Sequence, residues 1–182
     1  MEKKYILTDD VIDFNSHTLH RIKAVRDFDC VKAGDLGGFI ESEKNLDHDG
    51  AAWVTGDARI FGDAVVSSAA WVTGDAVVSG DARVSGVAVV SGDAFVTDSA
   101  RVSGAAVVSG AADFAVISGF GRVFRTTTFF RCKDNLVRCQ CGCFYGTVDE
   151  FRSKVRETHG SSKYAKEYLM IADLMELHFK ED

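Results

Sequence analysis

Residues 51–90 read AAWVTGDARIFGDAVVSSAAWVTGDAVVSGDARVSGVAVV, and the block AAWVTGDA at 51–58 returns intact at 69–76, an eighteen-residue step. Inside that repeat lies a shorter one: an alanine recurs at every sixth position from Ala52 to Ala112 without exception. Two positions after each alanine stands an aliphatic or aromatic residue, beginning with Val54, Ile60 and Val66 and ending with Val108 and Phe114. The unit is A-x-V-[ST]-G-D. Side chains alternate along a strand, so Ala and Val share one face and x takes the other. The Gly-Asp that follows makes a corner, because Gly adopts positive φ at no steric cost and Asp bonds its own backbone. Three strand-corner sides close a triangle, and one full eighteen-residue step brings the chain back above its start. A helix would carry a glycine in every hexapeptide at about 1 kcal/mol each, and three-residue strands are too short for a sandwich.

These residues resemble the hexapeptide-repeat, left-handed parallel β-helix family, in which an aliphatic residue is followed four positions later by a small one. Val54 and Ala58, Val72 and Ala76, and Val90 and Ala94 fit that spacing. The expected fold is mainly β: a triangular left-handed parallel β-helix with eighteen-residue coils and a C-terminal β-hairpin plus two-helix module. The expected domains are an N-terminal cap over 1–30, the β-helix over 31–123 and the C-terminal module over 124–182. Val25, Val31, Ile40 and Leu46 extend the pattern backwards as irregular first coils. After Phe114 the next fits, Ile117 and Val123, slip by half a hexapeptide, so the coil should end there.

In the C-terminal part, TTTFFRCKDNLVRCQCGCFYG reads as a hairpin turning at Asp134-Asn135. Thr147 and Glu150 form a capping-box pattern before FRSKV, His159-Gly160 supplies a stop, and a second helix starts near Ser162. Its residues Tyr164, Tyr168, Ile171, Ala172, Met175 and Phe179 make one apolar face, which Leu169, Leu174 and Leu177 widen. That breadth predicts contact on more than one side.

The net charge of −6 is unevenly divided: residues 51–119 carry three basic and seven acidic side chains, and 120–182 carry eleven and nine. Phosphate contacts need clustered Lys and Arg, so the charge pattern disfavours a nucleic-acid-binding surface on the repeat. Five cysteines and an N-terminus without an apolar signal run predict reduced thiols and a cytoplasmic location. No stretch approaches the roughly 18 apolar residues of a membrane span.

Stacking coils at the eighteen-residue step aligns Trp53, Trp71, Val89 and Val107 into an outward apolar column. Such stripes mark interfaces. The expected contact set is this column together with Tyr164, Tyr168, Met175 and Phe179. The alternative is that the chain's own C-terminal segment covers the two tryptophans. Corner aspartates stack as well, with Asp57, Asp75 and Asp93 along one edge. They read first as turn formers and second as an acidic decoy of nucleic acid.

Cys139, Cys141 and Cys143 alternate, which places them on one strand face with Cys132 across the hairpin. Four thiols are a candidate zinc set, though C-x-C is tighter than the usual C-x₂₋₄-C, and buried apolar cysteines are the preferred reading. No cofactor is expected. The histidines, His17, His20, His48, His159 and His178, all lie outside the clean repeat.

The segments VKAGDLGGFIES (31–42), CGCFYGTVDEFRSKVRETHG (141–160) and KYAKEYL (163–169) resemble polymer-forming repeat proteins of bacterial and prophage type. That resemblance implies an accessory role such as blocking or scaffolding a host factor, and the resemblance to the left-handed β-helix family implies a homo-oligomer, trimer before dimer. The resulting expectation is a non-enzymatic binding or assembly protein acting through its C-terminal module. The competing reading is a hexapeptide acyltransferase with an intersubunit site. Enzymes of that kind carry a catalytic histidine on the coils, and the clean repeat from 51 to 123 has none, so the base would come from His17, His20 or His48.

Overall fold

The computed structural model describes residues 2–180, which divide into two compact units at 110/111.

The first unit opens with β1 (Tyr5–Phe14), β2 (His17–Ala24) and β3 (Leu36–Ile40). Two-residue strands then follow at hexapeptide spacing: β4 (Trp53–Val54), β5 (Arg59–Ile60), β6 (Val65–Val66), β7 (Trp71–Val72), β8 (Val77–Val78), β9 (Arg83–Val84), β10 (Val89–Val90), β11 (Phe95–Val96), β12 (Arg101–Val102) and β13 (Val107–Val108). Every third strand pairs in parallel, giving sheets β4-β7-β10-β13, β5-β8-β11 and β6-β9-β12. Trp53 stands beside Trp71, Val89 and Val107 in turn, an eighteen-residue register. The result is a three-sided β-solenoid of about four turns. Every repeat alanine from Ala52 to Ala106, and every repeat valine or isoleucine from Val54 to Val108, is fully buried.

The corners explain the choice of residues. Gly86 has φ +73°, and a Cβ there would lie 2.7 Å from the Gly104 amide one coil above. Positive φ and close stacking both select glycine at that position. Ser68 and Asp98 occupy the equivalent place at φ 62° and 56°, so the backbone conformation holds even where glycine is absent.

The N-terminal segment closes one end. β1 and β2 form an antiparallel hairpin, β2 pairs antiparallel with β3, and β3 pairs in parallel with β5. A strand edge that would otherwise be open to aggregation is thereby built over. Ile40 beside Ile60 and Leu46 beside Val66 continue the inward columns at a slightly longer, twenty-residue offset. These are the irregular first coils expected from the sequence; Val25, by contrast, is 44% exposed.

Two buried polar groups lock the cap. The Asn45 amide donates to the carbonyls of Gly62 and Ala64 at 3.0 and 2.9 Å, while its oxygen accepts from the Ser42 amide at 2.9 Å. Lys4 is fully buried; its ammonium donates to the Ala52 carbonyl at 2.7 Å and lies 5.3 Å from the centre of the Phe28 ring.

The second unit is an antiparallel sheet in the order β14 (Phe114–Phe120), β15 (Arg125–Arg131), β16 (Val137–Cys141) and β17 (Phe144–Thr147), followed by α1 (Val148–His159) and α2 (Lys163–His178). The expected hairpin is present as β15 and β16. The boundary lies elsewhere than expected, however: Phe114–Phe120 belongs to this sheet, pairing Phe114 with Phe130 and Ile117 with Thr127. The slip in the repeat is where a long antiparallel strand begins, and the division comes at 110/111 instead of 123. The capping box forms as read. Thr147 accepts from the Glu150 amide at 3.3 Å, and Glu150 accepts from the Thr147 amide at 2.7 Å. Ser162 caps α2 by accepting from the Ala165 amide at 3.3 Å.

Asn45→Ala removes two amide donors from buried carbonyls and is expected to lower the unfolding free energy of the first unit by about 2 kcal/mol or more, read by denaturant titration. Lys4 gives a pH signature. Desolvation by burial is the largest influence on it and lowers its pKa from 10.5 to about 8; Asp47 pulls the other way and Arg26 adds to the lowering. The unfolded chain therefore binds more protons than the folded one above about pH 8, so stability rises with pH through that window and is lost as pH falls through about 8. Burial pushes the Tyr5 phenol up from its ordinary 10.0, which opposes the gain above pH 10. Unfolding free energy should climb between pH 8 and pH 10 in the wild type, and Lys4→Met should flatten that climb.

Candidate functional site

The expected contact residues fall into three environments. Trp53 is 2% exposed. The N-terminal segment covers it: Tyr5 approaches to 6.4 Å between ring centres and Phe28 to 5.3 Å, both edge-on. The cover therefore comes from the chain's first residues, and Trp53 is removed from any contact surface. Above the cap, Trp71, Val89 and Val107 remain half-buried on the outward face of their sheet.

Tyr168, Met175 and Phe179 are 5%, 4% and 5% exposed and lie in the second unit's own core with Phe129, Cys139, Phe151, Val155 and Ala172. Here the expectation is corrected. The expected module held a two-stranded hairpin, whereas the four strands β14 to β17 together with α1 bury that face of α2. Arg131 reinforces the packing at the helix end, donating to the Phe179 carbonyl at 2.8 Å. Tyr164 stays exposed at the start of α2.

The widening residues behave differently. Met170, Leu174 and Leu177 are 72%, 53% and 69% exposed. Their i, i+4, i+7 spacing aligns them as one ridge along α2. Leu174 and Leu177 were legible as excess apolar breadth; Met170 was missed, although its i, i+4, i+7 relation to the two leucines was the signal that could have found it.

Charge around the ridge is asymmetric. Near its C-terminal end, Arg152 meets Asp149, Asp173 and Glu176 at 3.1, 2.8 and 2.6 Å. Three carboxylates share one guanidinium, so the cluster stays net acidic. Near the N-terminal end stand Lys163 and Lys166. Lys163 pairs with Glu167 at 3.5 Å, and Lys166 has no acidic partner among the described residues.

No known protein family and no curated protein matches this chain.

The cysteines separate. Cys139 is fully buried beside Phe129, and burial, with Cys141 second, pushes its thiol far above the ordinary range. Cys141 is half-buried on the same strand face. Cys143 is not on that face, because β16 ends at Cys141 and Gly142, at φ +62°, turns the chain outward. Cys132 is buried beyond the other end of the strand. Among the described residues no group of three or more His, Cys, Asp or Glu side chains is arranged to hold a metal.

Each histidine offered for acyl transfer is engaged within the cap. His17 Nδ1 lies 3.0 Å from Glu41, whose carboxyl is held low by that bond and by the Gly62 amide. His20 Nδ1 lies 3.1 Å from the Thr8 carbonyl, and His48 stacks on Tyr5 at 4.2 Å. Asp57, Asp75 and Asp93 are exposed along their corner as turn formers are, with Asp57 3.4 Å from Arg21. Among the described residues no helix is long and apolar enough to cross a membrane.

Exposure orders the thiols. In the native protein Cys30 and Cys143 should react fast with an aromatic disulfide reagent and Cys141 more slowly, whereas Cys132 and Cys139 should react only at the rate of unfolding. Mass mapping of the labelled peptides checks this.

Proposed function

We propose that this protein is a non-enzymatic assembly protein that joins a second copy of itself through the Met170–Leu174–Leu177 ridge of α2. The observation carrying this reading is the exposure of three large apolar side chains in line on one helix, on the side opposite the face buried in the unit's own core. Isolated exposed apolar residues need no explanation, but a continuous ridge does.

Charge selects the partner. Lys166 and Asp173 are one heptad apart, so they flank the same side of the ridge. When two such helices pack antiparallel, like flanks face each other, as the e and g positions of antiparallel coiled coils do. Lys166 of one copy then comes within reach of the acidic cluster around Asp173 of the other, and the relation repeats by two-fold symmetry. The aliphatic stems of Lys163 and Lys166 extend the apolar seam. This assembly is two-fold and uses the helix, in place of a trimer built on the tryptophan column. Cores of such seams hold most of the binding energy, and the rim charges set orientation.

Sedimentation and light scattering test the reading. The wild-type chain should be a dimer, and Leu174→Glu with Leu177→Glu should be a monomer with an unchanged circular dichroism spectrum. Lys166→Glu should weaken the dimer by about tenfold, and Lys166→Glu combined with Asp173→Lys should restore it. A monomeric wild type, or a leucine double variant that keeps the dimer mass, would overturn the assignment.

A further inference from the structure

A cavity of about 310 Å³ opens in the second unit between the β14–β15 turn, the β16–β17 turn and α1. That volume is at the lower end of small-molecule sites, about 300–1,000 Å³. Its wall is apolar and largely aromatic. Phe144, Phe151, Val155 and Tyr168 line it, with Phe151 set edge-on to Tyr168 at 5.7 Å and the His159 ring tilted over Tyr168 at 5.7 Å.

The mouth is cationic. Arg122 and Arg125 stand there, both exposed, and neither has a carboxylate partner among the described residues. Lys154, on the same rim, differs in being paired with Glu157 at 3.0 Å. Val123, between the two arginines in sequence, holds an apolar side chain 57% exposed at the same mouth.

Two glycines make room for this arrangement. A Cβ on Gly142 would collide with the Arg125 guanidinium, and one on Gly121 would collide with the Tyr168 ring. Both have positive φ. The turns on either side of the cavity are therefore shaped around an arginine at its mouth and a tyrosine in its wall.

We propose that this cavity binds a small organic anion with a planar aromatic body: a carboxylate, sulfonate or phosphate group engaged by Arg122 and Arg125, and one or two rings laid against Phe144, Phe151 and Val155. A planar guanidinium donates two parallel N–H bonds to an oxyanion, which an ammonium cannot reproduce. Offset and edge-to-face contacts favour an aromatic body over an alkyl chain in a wall of rings. A bound ligand would also cover Val123. The site is separate from the α2 ridge, since Met170, Leu174 and Leu177 do not line it.

The probe pair 8-anilinonaphthalene-1-sulfonate and N-phenyl-1-naphthylamine shares one apolar body and differs in the sulfonate. Fluorescence titration of the full chain should give one saturable sulfonate site per chain. Arg122→Gln with Arg125→Gln should weaken that probe by about tenfold or more, while changing the uncharged probe by less than about twofold. Thr158→Trp, an exposed substitution at the mouth, should weaken both. Leu174→Glu with Leu177→Glu should leave both unchanged, whatever becomes of the dimer. Near-ultraviolet circular dichroism identifies folded variants. Absence of saturable sulfonate binding, indifference to the arginine pair, full binding in Thr158→Trp, or loss in the leucine variant would each overturn the proposal.

Discussion

The first unit depends on one repeated bond, the backbone amide that donates to a carbonyl of the next coil, one position short of a full turn. Trp53 donates to Ala70 at 3.0 Å, Trp71 to Ala88 at 2.9 Å and Val89 to Ala106 at 2.9 Å, and the corners follow the same rule where Asp57 meets Gly74 at 2.9 Å. A two-residue strand has almost no stability alone, so each side of the triangle exists only because the coils above and below satisfy its peptide groups. The inward Ala and Val columns and the corner glycines follow from that stacking. Small and β-branched residues fill a narrow triangular core, and at most corners positive φ and the close pass of the next coil favour glycine, with Ser68 and Asp98 as the exceptions.

A bond pattern that repeats in space must repeat in sequence, which is why the solenoid was legible. The coil-to-coil register, the buried columns and the positive-φ corners were all implied by A-x-V-[ST]-G-D. Helix caps in the second unit were equally readable, because Thr147, Glu150 and Ser162 act on amides within a single helical turn of themselves. Interactions spanning long separations left no such trace. The burial of Trp53 depends on Phe28 and Tyr5, and nothing local to any of the three residues announces the meeting. Asn45 and Lys4 were silent for the same reason. Each is an ordinary polar residue in sequence and acquires its role only when a carbonyl of a later coil arrives beside it.

The C-terminal contact face was legible in outline and misassigned in detail. Apolar breadth on α2 pointed to packing on more than one side; one side is buried in the unit's own core while Leu174 and Leu177 are exposed, and the residues on each side could not be separated without knowing the size of the sheet beneath. Recognising β14 as a sheet strand, and not a failing coil, supplies that missing area and draws Tyr168, Met175 and Phe179 inward. The cavity was less visible still. FGRVFR at 120–125 is an unusual mixture of exposed apolar and basic residues for a turn, but its counterpart aromatic residues come from β17, α1 and α2.

The inter-coil register also governs how this chain can change in length. Adding or losing a single residue inside the repeat would rotate an inward valine to the outside of every strand that follows, up to the next corner able to absorb the error. A whole hexapeptide would preserve the inside-outside alternation but move each later strand onto a different sheet. Only three hexapeptides together return every column to itself. The identical blocks at 51–58 and 69–76 sit one such step apart, so the length of the rod is quantised, and duplication of a whole coil is the smallest change by which it can grow without being rebuilt.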